Sequence, residues 1–362
     1  MLSRLSAFLT LLFLLLFSVN IFANPVGKSD DTKEFDVNEM IMHHIKDSHE
    51  FHIMDINGHA VSFPLPIILW TDNGLVSFLS SEFNHDDSGK VKVERKGQEF
   101  IKYHEKIFYA NNTAGNTFVS YDIAGNISNK KPLDLSITKM VFSMFLSMLF
   151  LVLIFVATAK TYSKSKKGEP TGLGKFTEPL VMFIKDEVAL PMIGEKNYQK
   201  YMPFLLTLFF FIWINNVMGL IPFFPFSANL SGNIAFTFVL AAITFVITTI
   251  VANKDYWKHI FWMPGIPVPM KLFLAPIEFL GIFIKPISLM IRLFANISAG
   301  HIIILSLISL IFIFKSLWLA PASLFFSVFI SLIEVLVVAI QAYIFTMLSA
   351  LYIGSAIEEH EH

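Results

Sequence analysis

Residues 272–314 read LFLAPIEFLGIFIKPISLMIRLFANISAGHIIILSLISLIFIF, 43 mostly apolar positions that nevertheless contain Glu278, Lys285, Pro286, Arg292, Asn296 and His301. One bilayer crossing needs about 20 residues. The stretch is therefore a strongly tilted helix, or two helices lying against each other at membrane depth with the break at Pro286 or at Ser298-Ala299-Gly300. Arg292 cannot lose its proton at physiological pH, because guanidinium pKa exceeds about 12. An arginine at the centre of a membrane helix costs about 2.5–3.5 kcal/mol on insertion scales, so it faces protein, a water-filled cavity or an anion. A functional cation is the default reading; a snorkelling arginine or an internal salt bridge is the plainer one. Glu278 does not serve as counter-charge, since it lies 14 residues earlier, about 21 Å along a straight helix.

The rest of the chain has the same solvent. Of 362 residues 54% are hydrophobic and 15% charged, mean hydropathy is +0.62 and net charge is −1, which points away from a soluble globule. No basic run is interleaved with aromatics, so nucleic acid is excluded as a partner. The absence of cysteine removes disulfides, thiolate metal sites and cysteine nucleophiles together. Further apolar segments cover about 137–159, 203–221, 234–252 and 321–353. Lys160, Lys164, Lys166, Lys167 and Lys175 follow the first, and Lys254, Lys258 and Lys271 follow the third. Such lysine-rich loops stay in the cytoplasm. The pattern predicts an all-α polytopic membrane protein with about five membrane-passing helices, the fourth and fifth long and tilted, and with the tail Glu358–His362 inside. Phe176 to Ile193 mixes apolar residues with Lys185, Asp186 and Glu187, which suits an interfacial helix or a solvated loop.

The N-terminus has Arg4, an apolar run from Phe8 to Phe17 and small residues up to Ala23, the form of a secretory signal, with a retained signal anchor as the alternative. Three regions are expected: a signal peptide over 1–23, an exported periplasmic segment over 24–135 and a membrane domain over 136–362. The exported segment has turn signals at Asn57-Gly58, Asn73-Gly74 and Asp86-Asp87-Ser88-Gly89 between short apolar runs, so it reads as a small domain containing some β-structure. Its histidines 43, 44, 49, 52 and 59 invite a metal reading. His49-Glu50-Phe51-His52 lacks the H-E-x-x-H spacing of a zinc helix, and a solvated histidine-rich surface is the expectation, with no metal and no cofactor.

Ser288, Arg292 and Asn296 recur at i, i+4, i+8 and form one polar stripe, with Lys285 seven residues before the arginine. His301, nine residues beyond Arg292, falls on the opposite face of a straight helix at about 100° per residue. In the last span Ser327, Ser331, Glu334 and Gln341 fall at spacings of 4, 3 and 7. Glu334 and His301 are natural partners, because carboxyl and imidazole can pass a proton between them; an ordinary interhelical polar contact is the plainer reading. No acid in the chain is placed to visit Arg292, which implies a carboxylate on another chain.

The run Lys285-Pro286-Ile287-Ser288-Leu289-Met290-Ile291-Arg292-Leu293-Phe294-Ala295-Asn296, then Ala299-Gly300-His301 and later Ala339-Ile340-Gln341-Ala342-Tyr343-Ile344-Phe345, closely resembles subunit a of the F-type ATP synthases. Asn215-Asn216-Val217-Met218-Gly219-Leu220-Ile221-Pro222 and Pro276-Ile277-Glu278 extend the likeness. The resemblance implies a proton-translocating stator in the bacterial inner membrane, beside a rotating ring of c subunits and held by b-type peripheral stalk subunits in the remainder of the synthase. It implies that Arg292 is the essential arginine, that Asn216, Asn296, His301, Glu334 and Gln341 line a half-channel from the exported side, and that Glu278 lies near the cytoplasmic one. Some members carry the acid and the histidine of the 301/334 pair in the reverse order. The chain would not be an enzyme by itself. The competing class is a stand-alone secondary transporter or channel with an anion bound at Arg292. An intramembrane hydrolase lacks both a G-x-S-x-G elbow and a second histidine at membrane depth.

Overall fold

The computed structural model describes residues 46–56, 59–111, 117–123, 125–164, 169–221, 224–263, 265–314 and 316–358. The expected signal peptide, His43, His44 and the last four residues of the tail lie outside them. Two compact units are present: Lys46–Phe142 with Ile221–Ser227, and Ser143–Leu220 with Ala228 onward.

Among its described residues the first unit holds eight strands: β1 (Glu50–Ile56), β2 (His59–Pro64), β3 (Pro66–Thr71), β4 (Gly74–Leu79), β5 (Ser88–Arg95), β6 (Gln98–Tyr103), β7 (Lys106–Tyr109) and β8 (Leu133–Asp134). They form a β1–β2 hairpin and two antiparallel sheets, in the orders β4-β3-β8 and β5-β6-β7. Alternation decides which face is buried: Ile67, Leu69, Val76 and Phe78 point into a core with Phe83, Val93, Phe100 and Ile107. A two-residue turn between Thr71 and Gly74 closes β3–β4, with Gly74 at φ +91°. His104 and Glu105 close β6–β7 although both have positive φ, 50° and 58°, a conformation that usually selects Gly or Asn.

Polar contacts hold that conformation. The Glu105 amide donates to Asp87 Oδ1 at 2.7 Å, and its carboxylate meets Lys102 Nζ at 3.6 Å and His49 Nδ1 at 3.8 Å. His49 Nε2 lies 3.3 Å from Asp134 Oδ2, and Lys102 Nζ lies 3.5 Å from Glu50 Oε1. His49 is 3% exposed and Lys102 2%, so the expectation of a solvated histidine surface fails at His49. Burial pushes the imidazole pKa down, but hydrogen bonding and charge from Asp134 and Glu105 outweigh it and raise the value to about 9.

Among the described residues five helices are long and apolar enough to cross a membrane. Helix α1 spans Lys139–Lys164. Its first amides are taken up from far back in the chain: Lys139 N donates to the Ser48 carbonyl at 2.8 Å and Met140 N to Asp47 Oδ1 at 3.1 Å. After it come α2 (Gly174–Phe183), a π-helical turn (Ile184–Ala189) and α3 (Leu190–Ile193). The segment is helical rather than a loop because Ile184, Val188, Ala189 and Ile193 line up as a buried apolar stripe, while Lys185 and Asp186 pair at its surface at 3.7 Å. Helices α4 (Tyr198–Leu220) and α5 (Ile234–Val251) follow, then the short α6 (Lys254–Phe261). Asn233 caps α5 by accepting from the Ala235 amide at 2.9 Å.

Helix α7 runs unbroken over Val268–Phe314, and α8 over Ala320–Ile357. The two-helix alternative for residues 272–314 is thus excluded, and neither Pro286 nor Ser298-Ala299-Gly300 breaks the rod. At 1.5 Å per residue its 47 residues reach about 70 Å, more than twice the hydrocarbon thickness of about 30 Å. Each proline removes one backbone hydrogen bond, while the buried stripe of Ile282, Leu289, Leu293 and Ile297 holds the helix against its neighbours. At the end of α8 the Asn253 amide and side chain donate to the carbonyls of Ala356 and Ile357, both at 2.8 Å, satisfying acceptors that helix ends leave open.

Candidate functional site

Arg292 lies mid-way along α7, half-buried, with Ser288 and Asn296 exposed one turn to either side. The stripe read from spacing is therefore real. Among the described residues no carboxylate forms an ion pair with Arg292. A guanidinium at membrane depth calls for an anion, a water-filled cavity or protein polar groups beside it.

His301 and Glu334 come together across α7 and α8, with Nδ1 3.0 Å from Oε1. Glu334 is 4% exposed, and its second oxygen, Oε2, has no hydrogen-bond partner among the described residues. The pair forms because residue 300 is glycine: a Cβ there would sit 2.5 Å from Glu334 Oε1, so only glycine leaves room for the carboxylate. Gln341, seven residues beyond Glu334, is buried as well. Asn216 is buried in α4, and its Oδ1 accepts from Ser231 Oγ at 2.5 Å, so its hydrogen bond goes to Ser231 rather than to another of these residues.

Glu278 and Lys285 line one cavity of about 190 Å³, shared with Tyr256, His259, Ile260, Ile282, Ser355 and Glu358. At about 30 Å³ per water it has room for several. Lys285 Nζ also stands 5.7 Å from the centre of the Tyr352 ring. Sequence reasoning did not single out His259, Tyr256, Glu358 or Ser231. The first three come from α6 and the end of α8 and are revealed only by the cavity they share with α7, and Ser231 by its hydrogen bond to Asn216 of α4. Gly300 was visible beside His301, but its role depends on a side chain 33 residues away.

Comparison with known proteins accounts for most of the chain. Residues 141–354 match the family model described as ATP synthase A chain. The chain belongs to the subunit a family of the F-type ATP synthases. It is thereby a multi-pass subunit of that enzyme's membrane sector. It is similar to ATP synthase subunit a of Chloroherpeton thalassium, 43% identical over 235 residues that make up 63% of this chain and 69% of the relative. To that of Chlorobium phaeobacteroides (strain BS1) it is 47% identical over 237 residues, 63% and 68% of the two chains. To that of Anaeromyxobacter sp. (strain Fw109-5) it is 41% identical over 238 residues, 63% and 56%. Residues 40–135 match a separate model, Domain of unknown function (DUF8433). Within this subunit a family member, Asn216, Glu278, Lys285, Ser288, Arg292, Asn296, His301, Glu334 and Gln341 all fall inside the matched residues 141–354.

Proposed function

We propose that the chain is the proton-translocating stator of the membrane sector, offering two offset half-channels to carboxylates on a ring of c subunits, with Arg292 between them. The observation that carries this is the half-buried Arg292 on its polar stripe, without a carboxylate partner among the described residues. A fixed cation there lowers the proton affinity of a visiting carboxylate and opposes a direct leak of protons past it. The exported-side route runs through Asn216, Gln341, Asn296 and the His301–Glu334 pair, whose 3.0 Å contact suits proton exchange. The inner route uses Glu278 and its cavity. Lys285 and Ser288 are secondary, flanking the arginine along the same helix.

In this reading residues 1–23 are a signal peptide, 24–135 a periplasmic segment and 136–362 the membrane domain, with the C-terminus in the cytoplasm of a bacterium and b-type subunits holding the stator. The lysines after the first and third spans support that orientation. Arg292→Ala is expected to abolish ATP synthesis driven by proton-motive force while the complex still assembles. Unchanged synthesis in an assembled Arg292→Ala complex would refute the assignment.

A further inference from the structure

The outer face of the β4-β3-β8 sheet departs from the usual pattern of a half-solvated antiparallel sheet, apolar inside and polar outside. Trp70 pairs with Leu75 on one side and Leu133 on the other. The ladder continues as the Leu135 amide donates to the Ile68 carbonyl and the Ile137 amide to the Pro66 carbonyl. Three rows therefore share one face: Leu75, Trp70 and Leu133; Ser77, Ile68 and Leu135; Leu79, Pro66 and Ile137. That face points away from buried Ile67, Leu69, Val76 and Phe78. Ser77 is its only polar residue. Leu133 is 62% exposed, Trp70 58%, Leu135 52%, Leu75 50% and Leu79 48%. The rows cover about 13 Å along β3 and about 10 Å across the three strands, a contiguous apolar surface of the kind that marks an interaction site. The β5-β6-β7 sheet has no such exposed face on the side of Ile101 and Phe108, which are buried against Phe118, Val119 and Ile127.

The patch ends where the chain enters its first span. Ile137, in the last row, stands two residues before Lys139, the first residue of α1. Phe142, in the first turn of α1, packs with Phe51, Phe63 and Phe224 at ring-centroid distances of 5.0 to 6.4 Å. Phe224 lies four residues past the end of α4, so this cluster joins the ends of two spans. At the opposite end of the patch, exposed Lys96 donates to the Leu75 carbonyl at 2.9 Å. Lys130, paired with Asp72 at 2.6 Å, and Lys131 precede Leu133. Leucines with a tryptophan, rimmed by lysines, have the chemistry of a surface that binds phosphate headgroups and the upper acyl chains.

We propose that this sheet face rests on the lipid bilayer beside the start of α1, with Trp70, Leu133 and Leu135 at the headgroup–acyl boundary and the rim lysines against lipid phosphates. The strand unit is thereby tied to the membrane by its own surface as well as by the chain that leads into α1. Continuity of the patch with the span ends favours lipid over a protein partner. The proposal rests on membership of a membrane-sector family and is independent of the proton path through Arg292.

Because the chain has no cysteine, Leu75→Cys, Leu133→Cys and the control Glu94→Cys can each be introduced singly into the whole complex and labelled with a nitroxide, the unsubstituted complex serving as blank. All three side chains are exposed, so no variant removes a core contact. Glu94 belongs to the opposite sheet, where its neighbour Val93 faces the shared core. Each labelled complex is reconstituted in vesicles of phosphatidylethanolamine and phosphatidylglycerol. Collision of the label with oxygen and with a water-soluble nickel chelate is then read by electron paramagnetic resonance. Oxygen, being apolar, concentrates among acyl chains, while the chelate stays in water. The oxygen-to-nickel ratio at Leu75→Cys and Leu133→Cys is expected to exceed that at Glu94→Cys by at least about threefold. A ratio equal to the control would overturn the proposal. Low collision with both reagents would overturn it too, since a protein would then cover the face, and dipolar broadening between labels would identify that protein as a second copy of this chain.

Discussion

At residue 300 the backbone of α7 comes so close to Glu334 that a single methyl group would occupy the carboxylate's position. The clashing atom is the end of a side chain, so Gly300→Ala is expected to displace Glu334 rather than unfold the helix. We expect Gly300→Ala and Glu334→Gln to slow passive proton flow through complexes stripped of their catalytic head, with assembly intact, as measured by dissipation of an imposed pH gradient. Normal flow in both would remove Glu334 from the path. Arg292 was legible in the sequence because a permanent charge in an apolar run needs explanation whatever the fold. The stripe and the His301–Glu334 pair were legible from periodicity and complementary chemistry. Gly300 and Ser231 were not, since their roles exist only once a distant segment is packed against them.

Among the elements, hydropathy placed the five long helices to within a few residues, because bilayer thickness fixes the length of apolar sequence required. It left two alternatives open at residues 272–314, since a proline pattern does not distinguish a tolerated proline from a break. Packing resolves this: buried Leu289, Leu293 and Ile297 follow Pro286 without interruption. The α2–α3 segment was equally undecided, its charges masking a stripe whose partners are α4 and α8. One contact there is unusually close. A Cβ on Gly354 of α8 would lie 1.8 Å from the Met192 carbonyl oxygen of α3, and backbone does not yield as a side chain does. Gly354→Ala is therefore expected to force α3 away from α8 and to destabilise the membrane unit by roughly 1–3 kcal/mol. A lowered midpoint of thermal unfolding in detergent would register this, and an unchanged midpoint would contradict it. The β6–β7 turn was invisible in sequence, because His104-Glu105 is no turn signature and forms only through the partners of Glu105.

At the scale of the molecule, the strand unit and the helical unit answer to different physics. The helical unit is held by apolar packing, whereas the strand unit also contains a buried charge cluster and so titrates. His49 has its folded pKa raised from 6.5 to about 9. Its contribution is therefore fully present below about pH 6.5 and is lost as pH rises through about 9, amounting to about 3 kcal/mol. Burial raises the carboxyls of Glu105 and Asp134, but hydrogen bonds with His49 dominate and hold both below their usual range. Their contribution is present above the ordinary carboxylate pKa and fades in acid. Hydrogen exchange in the intact protein should show β1 and β8 amides less protected at pH 9.5 than at pH 6.5, after correction for intrinsic rates. Equal protection would mean that the charge on His49 does not contribute.

The same cluster has a temporal consequence. His49 requires Asp134, and Asp47 and Ser48 grip the first amides of α1. A chain made from its N-terminus therefore cannot complete the strand unit until the start of its first long helix has been synthesised. Folding of the one is timed to the birth of the other, and early β-hairpins must wait, exposed to chaperones, for a junction still inside the ribosome.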